Sequence, residues 1–104
     1  MSERYEVNLT DEAQADLGRI RDFIASDSPD VADSVIDHIL AATVSLEFMP
    51  SRFIQVGRSR REGSPVHAVV VHPFVVYYTI DGEKQVVQVL SVRHGRQKRL
   101  QRFP

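Results

Sequence analysis

The hydrophobic pattern of this chain changes its period once, near Pro50, and this change limits the folds that the sequence can adopt. Before Pro50, apolar residues recur at helical spacing in two stretches. After residue 65 they come in short runs rich in valine and tyrosine, which are typical of strands. We therefore expect an α+β domain of order β-α-α-β-β-β, in which a helical hairpin covers one face of a mainly antiparallel sheet.

Two helices are predicted, at about residues 10–26 and 29–49. Thr10 is a suitable N-cap for the first, and Asp11 and Glu12 follow where the helix dipole favours negative charge. Ser28 can cap the second helix, and Pro29 suits its first position. The short break between them indicates an antiparallel hairpin. We expect the apolar stripes to bury Leu17, Ile20, Ile24, Val35, Ile39 and Leu46. Phe23 widens the stripe of the first helix, and Val31 begins that of the second.

Strands are predicted on both sides of the helices. Arg4 to Leu9 alternates as a first strand, and further strands are expected at residues 66–72, 75–80 and 85–92. Asp81-Gly82 is a hairpin signal between the last two. Residues 51–65 are predicted to be a polar connector that carries several arginines. The sheet face away from the helices should be partly open and should form the working surface with this connector and the basic tail.

Composition restricts the functional classes. The 104 residues correspond to one domain, 1–104, and the sequence contains no cysteine, which excludes disulfides and thiolate chemistry. No signal-peptide pattern precedes the first strand, and the longest apolar run, at residues 74–78, is far too short for a membrane span. We expect a cytoplasmic protein without a membrane segment. No glycine-rich phosphate loop or hydrolase triad is present, and we expect no cofactor.

Charge is distributed unevenly along the chain. Residues 1–50 carry a net charge of −8 and residues 51–104 carry +7. Such a division indicates an electrostatic partner, although the two halves could also neutralise each other across the fold. Of the histidines, His67 and His72 should point to opposite faces of one strand and His38 lies on a helix, so we expect no metal site.

The densest group of chemically active side chains closes the last predicted strand, at Arg93, His94 and Arg96. Arginine offers bidentate donors to phosphate or carboxylate, and histidine can transfer a proton near neutral pH. A metal-free ribonuclease could use such groups, with cations stabilising the phosphorane. The same pattern also fits a solvated strand end in which Gly95 makes a turn.

Taken in order, several segments resemble the RelE/ParE superfamily of type II toxins, which includes plasmid-stabilisation proteins. The segments that carry the resemblance are Tyr5–Val7, Leu9–Ala13, Leu46–Pro50, Val56–Arg58, Val75–Tyr78 and Val89–Gln97. The resemblance implies a bacterial toxin that is neutralised by a ParD-like antitoxin, whose disordered segment folds around it in a hetero-oligomer. We expect target- or antitoxin-binding residues to include Arg58, Arg60, Arg61, Arg93, Arg96, Lys98, Arg99 and Arg102.

The superfamily has two main branches. RelE-like members cut messenger RNA on the ribosome and typically use sheet cations with a Tyr or His near the C-terminus. ParE-like members trap DNA gyrase on cut DNA and need no catalytic residue. Here no tyrosine follows Tyr78, and the Arg-His-Gly-Arg strand end is more similar to ParE members. We expect a gyrase inhibitor; the alternatives are a ribonuclease that uses Arg93 and His94, or a member that only binds its antitoxin.

Overall fold

The computed structural model describes residues 4–59 and 63–95, which form two helices and a five-stranded sheet. The chain runs through β1 (Glu6–Leu9), α1 (Asp11–Ala25), α2 (Pro29–Val44), β2 (Gln55–Arg58), β3 (Pro65–Val71), β4 (Phe74–Asp81) and β5 (Val86–His94). Two short 3₁₀ helices, Ser45–Glu47 and Pro50–Arg52, lie between α2 and β2. The predicted α+β class is confirmed. The connector contains one additional short strand, β2, which was not predicted.

The described strands lie in the order β1-β5-β4-β3-β2. Strands β2 to β5 are antiparallel to their neighbours, whereas β1 is parallel to β5. The register between β1 and β5 ends at the pair Leu9 and Val89, so the second half of β5 extends beyond β1. The start of α1 lies along that half: Thr10 Oγ1 donates to Leu90 O at 3.1 Å, and Asp16 Oδ2 accepts from Val92 N at 3.0 Å.

Both helices begin where the sequence places their N-caps. Thr10 is extended and its hydroxyl accepts a hydrogen bond from Ala13 N at 3.2 Å, as expected of an N-cap. Ser28 is the N-cap of α2, but its side chain makes no capping hydrogen bond. The predicted N-cap position is therefore confirmed, without a contribution from the serine hydroxyl. Pro29 supplies the fixed φ at the first helical position.

The predicted second helix ends earlier than expected. The α-helix stops at Val44, and Met49 adopts a left-handed conformation with φ of 46° before Pro50. The right-handed helical conformation is disfavoured for a residue that precedes proline. The chain therefore leaves the helix before Pro50, and the two 3₁₀ helices are separate. The Tyr78 hydroxyl donates to Pro50 O at 2.5 Å and holds this turn against the sheet.

The main core lies between the helical hairpin and the sheet, and Ile39, Leu46, Val76 and Val89 are fully shielded within it. The helical phase was predicted correctly, but Leu17, Ile20, Ile24 and Val35 are only half-buried against this core. The opposite sheet face was expected to be partly open. The face is open at Val70, which is 68% exposed, and closed at its centre, where Val66, Ala68, Tyr77 and Leu90 form a second buried cluster.

Candidate functional site

The two predicted ribonuclease residues close β5 and are both engaged by neighbouring side chains. His94 pairs in register with Phe74, and their rings meet edge to face with centroids 5.4 Å apart. Arg93 pairs in register with Val75, and its Nη2 lies 3.8 Å from Oε1 of Glu12 on α1. Within the fold, His94 therefore packs against Phe74 and Arg93 forms an ion pair with Glu12.

An open groove lies beside this strand end. It is formed where the last turns of α1 and the first turns of α2 project over the start of β4 and the end of β5, and its volume is about 850 Å³. Phe23 is 81% exposed and Val31 is 50% exposed, although both lie on predicted core stripes. The residues that line the groove are Asp16, Arg19, Ile20, Phe23, Ile24, Val31, Val35, Pro73, Phe74, Val92, Arg93 and His94.

Most of the groove surface is apolar, and its charged residues lie at one side. Asp16 is nearly fully buried, accepts the Val92 N–H and forms an ion pair with Arg19. The Nε atom of Arg93 is buried and has no hydrogen-bond partner. An apolar surface beside guanidinium groups suits a partner segment that combines apolar and acidic side chains.

Of the other predicted binding residues the structure describes Arg58 alone, and Arg58 does not line this groove. Arg58 ends β2, where its Nη1 donates to Gly63 O at 3.0 Å. The strand order places β2 three strands away from β5, which corresponds to about 14 Å at ordinary strand spacing. Arg60, Arg61, Arg96, Lys98, Arg99 and Arg102 lie outside the described residues. The structure therefore does not join Arg58 and Arg93 in one binding site.

Tyr78 lies at the centre of a separate structural cluster. Its ring stacks on His67 with centroids 5.6 Å apart, and His67 Nδ1 lies 2.9 Å from Phe53 O. Burial raises the pKa of Tyr78 to about 12, while the positive charge of Arg52 opposes that rise. A hydroxyl with this pKa stays protonated near neutral pH, so Tyr78 serves as a hydrogen-bond donor there.

Residues 4–59 and 63–95 contain no group of three or more His, Asp or Glu side chains placed to hold a metal ion. Across the same two ranges, neither α-helix has the length and apolar character that crossing a bilayer requires.

Most of the groove was not predicted from the sequence. Phe23 and Val31 were assigned to core stripes, and Glu12, Asp16, Arg19 and Phe74 were not identified as parts of a site. A polar Asp16 between the apolar positions of α1 was the signal available, because a carboxylate on a buried helix face needs a partner.

Comparison with known families and structures gives consistent matches. Residues 7–99 match the family model described as ParE toxin of the type II toxin–antitoxin system parDE. No curated protein matches the sequence significantly.

Three solved structures illustrate the similarity. A chain of the chromosomal ParDE system from Pseudomonas aeruginosa is 23% identical with a TM-score of 0.69, and the match covers 89% of this chain and 98% of that one. For the toxin–antitoxin complex RelBE2 from Mycobacterium tuberculosis the identity is 27%, the TM-score 0.56 and the coverages 88% and 91%. The archaeal RelE–RelB complex from Pyrococcus horikoshii is 13% identical with a TM-score of 0.65, and the match covers 91% of this chain and 99% of that one.

Proposed function

The chain belongs to the ParE toxin family of type II toxin–antitoxin systems, and from this premise we propose that it inhibits DNA gyrase by binding. In this proposal the toxin acts in the bacterial cytoplasm and stabilises gyrase on cut DNA without changing either molecule chemically. The observation that carries the proposal is the family match, which spans residues 7–99 and so includes the described helices and strands apart from Glu6, the first residue of β1.

The end of β5 supports a binding mechanism. A ribonuclease would need a group there that transfers a proton to or from the reacting ribose or leaving oxygen. His94 packs its ring against Phe74, Arg93 is paired with Glu12, and the buried Tyr78 hydroxyl donates to Pro50 O. These contacts suit side chains that shape a surface more than side chains that take part in a reaction.

The second part of the proposal is an antitoxin partner that docks in the groove and forms a hetero-oligomer with the toxin. The groove offers exposed Phe23 and Val31 as apolar contacts and Arg93 at its charged side. A disordered antitoxin segment that folds on binding would bury this apolar surface and place carboxylates near the arginine. The ParDE, RelBE2 and RelE–RelB relatives are toxin–antitoxin systems, which supports the same kind of partner here.

A ribosome-dependent ribonuclease is the second candidate. It is favoured by the similarity to the RelBE2 complex at 27% identity. Arg93 and His94 would then supply the charge and the proton.

The deciding experiment is a cleavage assay with purified gyrase, supercoiled DNA, ATP and the toxin. We expect linear DNA to accumulate after detergent and protease treatment, and antitoxin added beforehand to prevent it. A parallel assay with ribosomes and messenger RNA tests the alternative. RNA cleavage without any trapped gyrase complex would overturn the proposal.

A matched pair of variants separates the mechanisms further. His94→Phe keeps a ring against Phe74 but removes both ring nitrogens, whereas His94→Ala removes the ring as well. For a gyrase inhibitor we expect His94→Phe to retain toxicity in an induction assay at equal expression. For a ribonuclease its toxicity should fall with the rate, by about 100- to 10,000-fold. Loss of killing by a folded His94→Phe variant would therefore contradict the gyrase mechanism.

A further inference from the structure

The ion pair between Arg93 and Glu12 is the longest among the described residues. Its N–O distance is 3.8 Å, whereas the pairs Arg4–Glu47 and Arg21–Asp33 have distances of 3.1 and 2.8 Å. No hydrogen bond accompanies it, and Glu12 remains 44% exposed. A pair of this geometry is weak, because solvent screens it and no N–H points directly at the carboxylate.

Arg93 itself is more buried than its partner. Its side chain is 31% exposed, and its Nε is shielded from solvent without a hydrogen-bond partner. A buried donor without an acceptor is unfavourable, so this guanidinium is only partly satisfied by Glu12. A carboxylate that approached through the groove could accept from the two terminal nitrogens together, which is one of the bidentate arrangements that arginine favours.

The backbone around Arg93 is held in place. The N–H of Val92 donates to Asp16, and Gly95 N donates to Pro73 O at 2.7 Å, so the segment is fixed on both sides of Arg93. Glu12, in contrast, lies in the first turn of α1, where the helix dipole stabilises a carboxylate that has lost its ion partner. Exchange of the carboxylate on Arg93 therefore requires no movement of the strand.

We propose that Arg93 is the site in the groove that recognises a carboxylate of the antitoxin, and that Glu12 occupies Arg93 weakly until the antitoxin displaces it. This inference rests on the proposed function, since it takes the occupant of the groove to be the antitoxin. The occupant is an acidic amphipathic segment: its apolar side chains cover Phe23 and Val31, and one Asp or Glu side chain reaches Arg93. Glu12 thereby acts as an intramolecular competitor that lowers the affinity of the complex.

Removal of the competitor tests the proposal. Glu12→Gln keeps the size of the side chain and removes its charge. Asp11→Asn makes the same charge change one residue earlier, at a position without an ion partner among the described residues. The probe is the purified cognate ParD-like antitoxin of the proposed function, titrated calorimetrically into each toxin variant. We expect Glu12→Gln to tighten binding about two- to five-fold and Asp11→Asn to leave it unchanged.

Arg93→Lys tests the bidentate geometry separately from the charge. Lysine keeps the positive charge but lacks the planar fork of donors, so binding should weaken at least tenfold. The double variant Glu12→Gln with Arg93→Lys should lose the gain seen in Glu12→Gln alone. Circular dichroism and thermal unfolding establish that each variant is folded.

The possible outcomes separate the two proposals. If wild-type toxin does not bind a ParD-like antitoxin, the proposed partner is wrong and this inference falls with it. If wild type binds but Glu12→Gln binds equally or more weakly, only the competitor role is overturned. Equal tightening in Glu12→Gln and Asp11→Asn would also overturn it, because a general charge effect would then explain both.

Discussion

Replacing Tyr78 with phenylalanine should make the protein less stable at neutral pH and less sensitive to alkali. The Tyr78 side chain is fully buried, and its hydroxyl donates to the carbonyl of Pro50. Tyr78→Phe removes that donor, so the Pro50 carbonyl loses this hydrogen bond. A buried polar group that loses its hydrogen bond costs about 1–3 kcal/mol, and we expect the free energy of unfolding to fall by this amount at neutral pH.

The alkaline effect follows from the pKa of Tyr78, which burial raises from 10.0 to about 12. In the unfolded chain the phenol ionises near its ordinary pKa, so unfolding releases a proton once the pH exceeds 10. The contribution of Tyr78 is therefore complete below pH 10 and is lost as the pH rises toward 12. At about 1.4 kcal/mol for each pH unit, the loss reaches about 2–3 kcal/mol.

Urea unfolding followed by circular dichroism, repeated at several pH values above neutrality, measures both effects. At neutral pH the free energy of unfolding of Tyr78→Phe should be lower than that of wild type. Between pH 10 and 12 it should fall less than that of wild type. Tyr77→Phe is the matched control, because it removes the neighbouring hydroxyl on the opposite face of the sheet. If Tyr78→Phe and wild type lose stability in parallel above pH 10, the assignment of the raised pKa to Tyr78 is refuted.

Four further outcomes are expected. Ile39→Ala should lower the free energy of unfolding by about 2–5 kcal/mol in urea titrations, whereas Leu17→Ala should cost less because Leu17 is only half-buried. Thr10→Ala should cost about 1 kcal/mol or more, with recovery in Thr10→Ser, since the hydroxyl both caps α1 and donates to β5. The rate of antitoxin association, measured by stopped-flow, should fall as salt rises, and a constant rate would contradict electrostatic steering. Truncation after Gly95 should strongly weaken toxicity at matched expression, because it removes four basic residues, and full toxicity would show that they are dispensable.

The sequence predicted those parts of the fold that follow from local periodicity and caps. Ile39 and Leu46 lie on a stripe with helical spacing, and both are fully buried, as that spacing requires. Strand β2 was missed because Gln55–Arg58 is only four residues long, contains glycine and pairs through an irregular register. Neither alternation nor β-branched content marks it, and only pairing with β3 makes it a strand.

The groove could not be predicted for a different reason. Its surface depends on how far the helical hairpin projects beyond the sheet, which brings Phe23 close to Phe74 without any sequence pattern that links them. Likewise, Glu12 can pair with Arg93 only because α1 packs along the part of β5 that extends beyond β1. Residue types identified Arg93 as a candidate, but its partner and its buried Nε are properties of the tertiary structure.

The position of β1 at the edge of the sheet also has a consequence for biosynthesis. Strand β1 pairs only with β5 among the described strands, with Glu6 opposite Val86. It is synthesised before β2 to β5, so it has no partner strand until β5 has been made. The helical hairpin likewise emerges before β3, β4 and β5, the strands that it covers. Contacts between such distant segments form slowly, and the apolar stripes of both helices remain uncovered in the meantime. During translation these helices are therefore candidates for chaperone binding, and neither the groove nor the end of β5 can exist until almost the whole β region has been made.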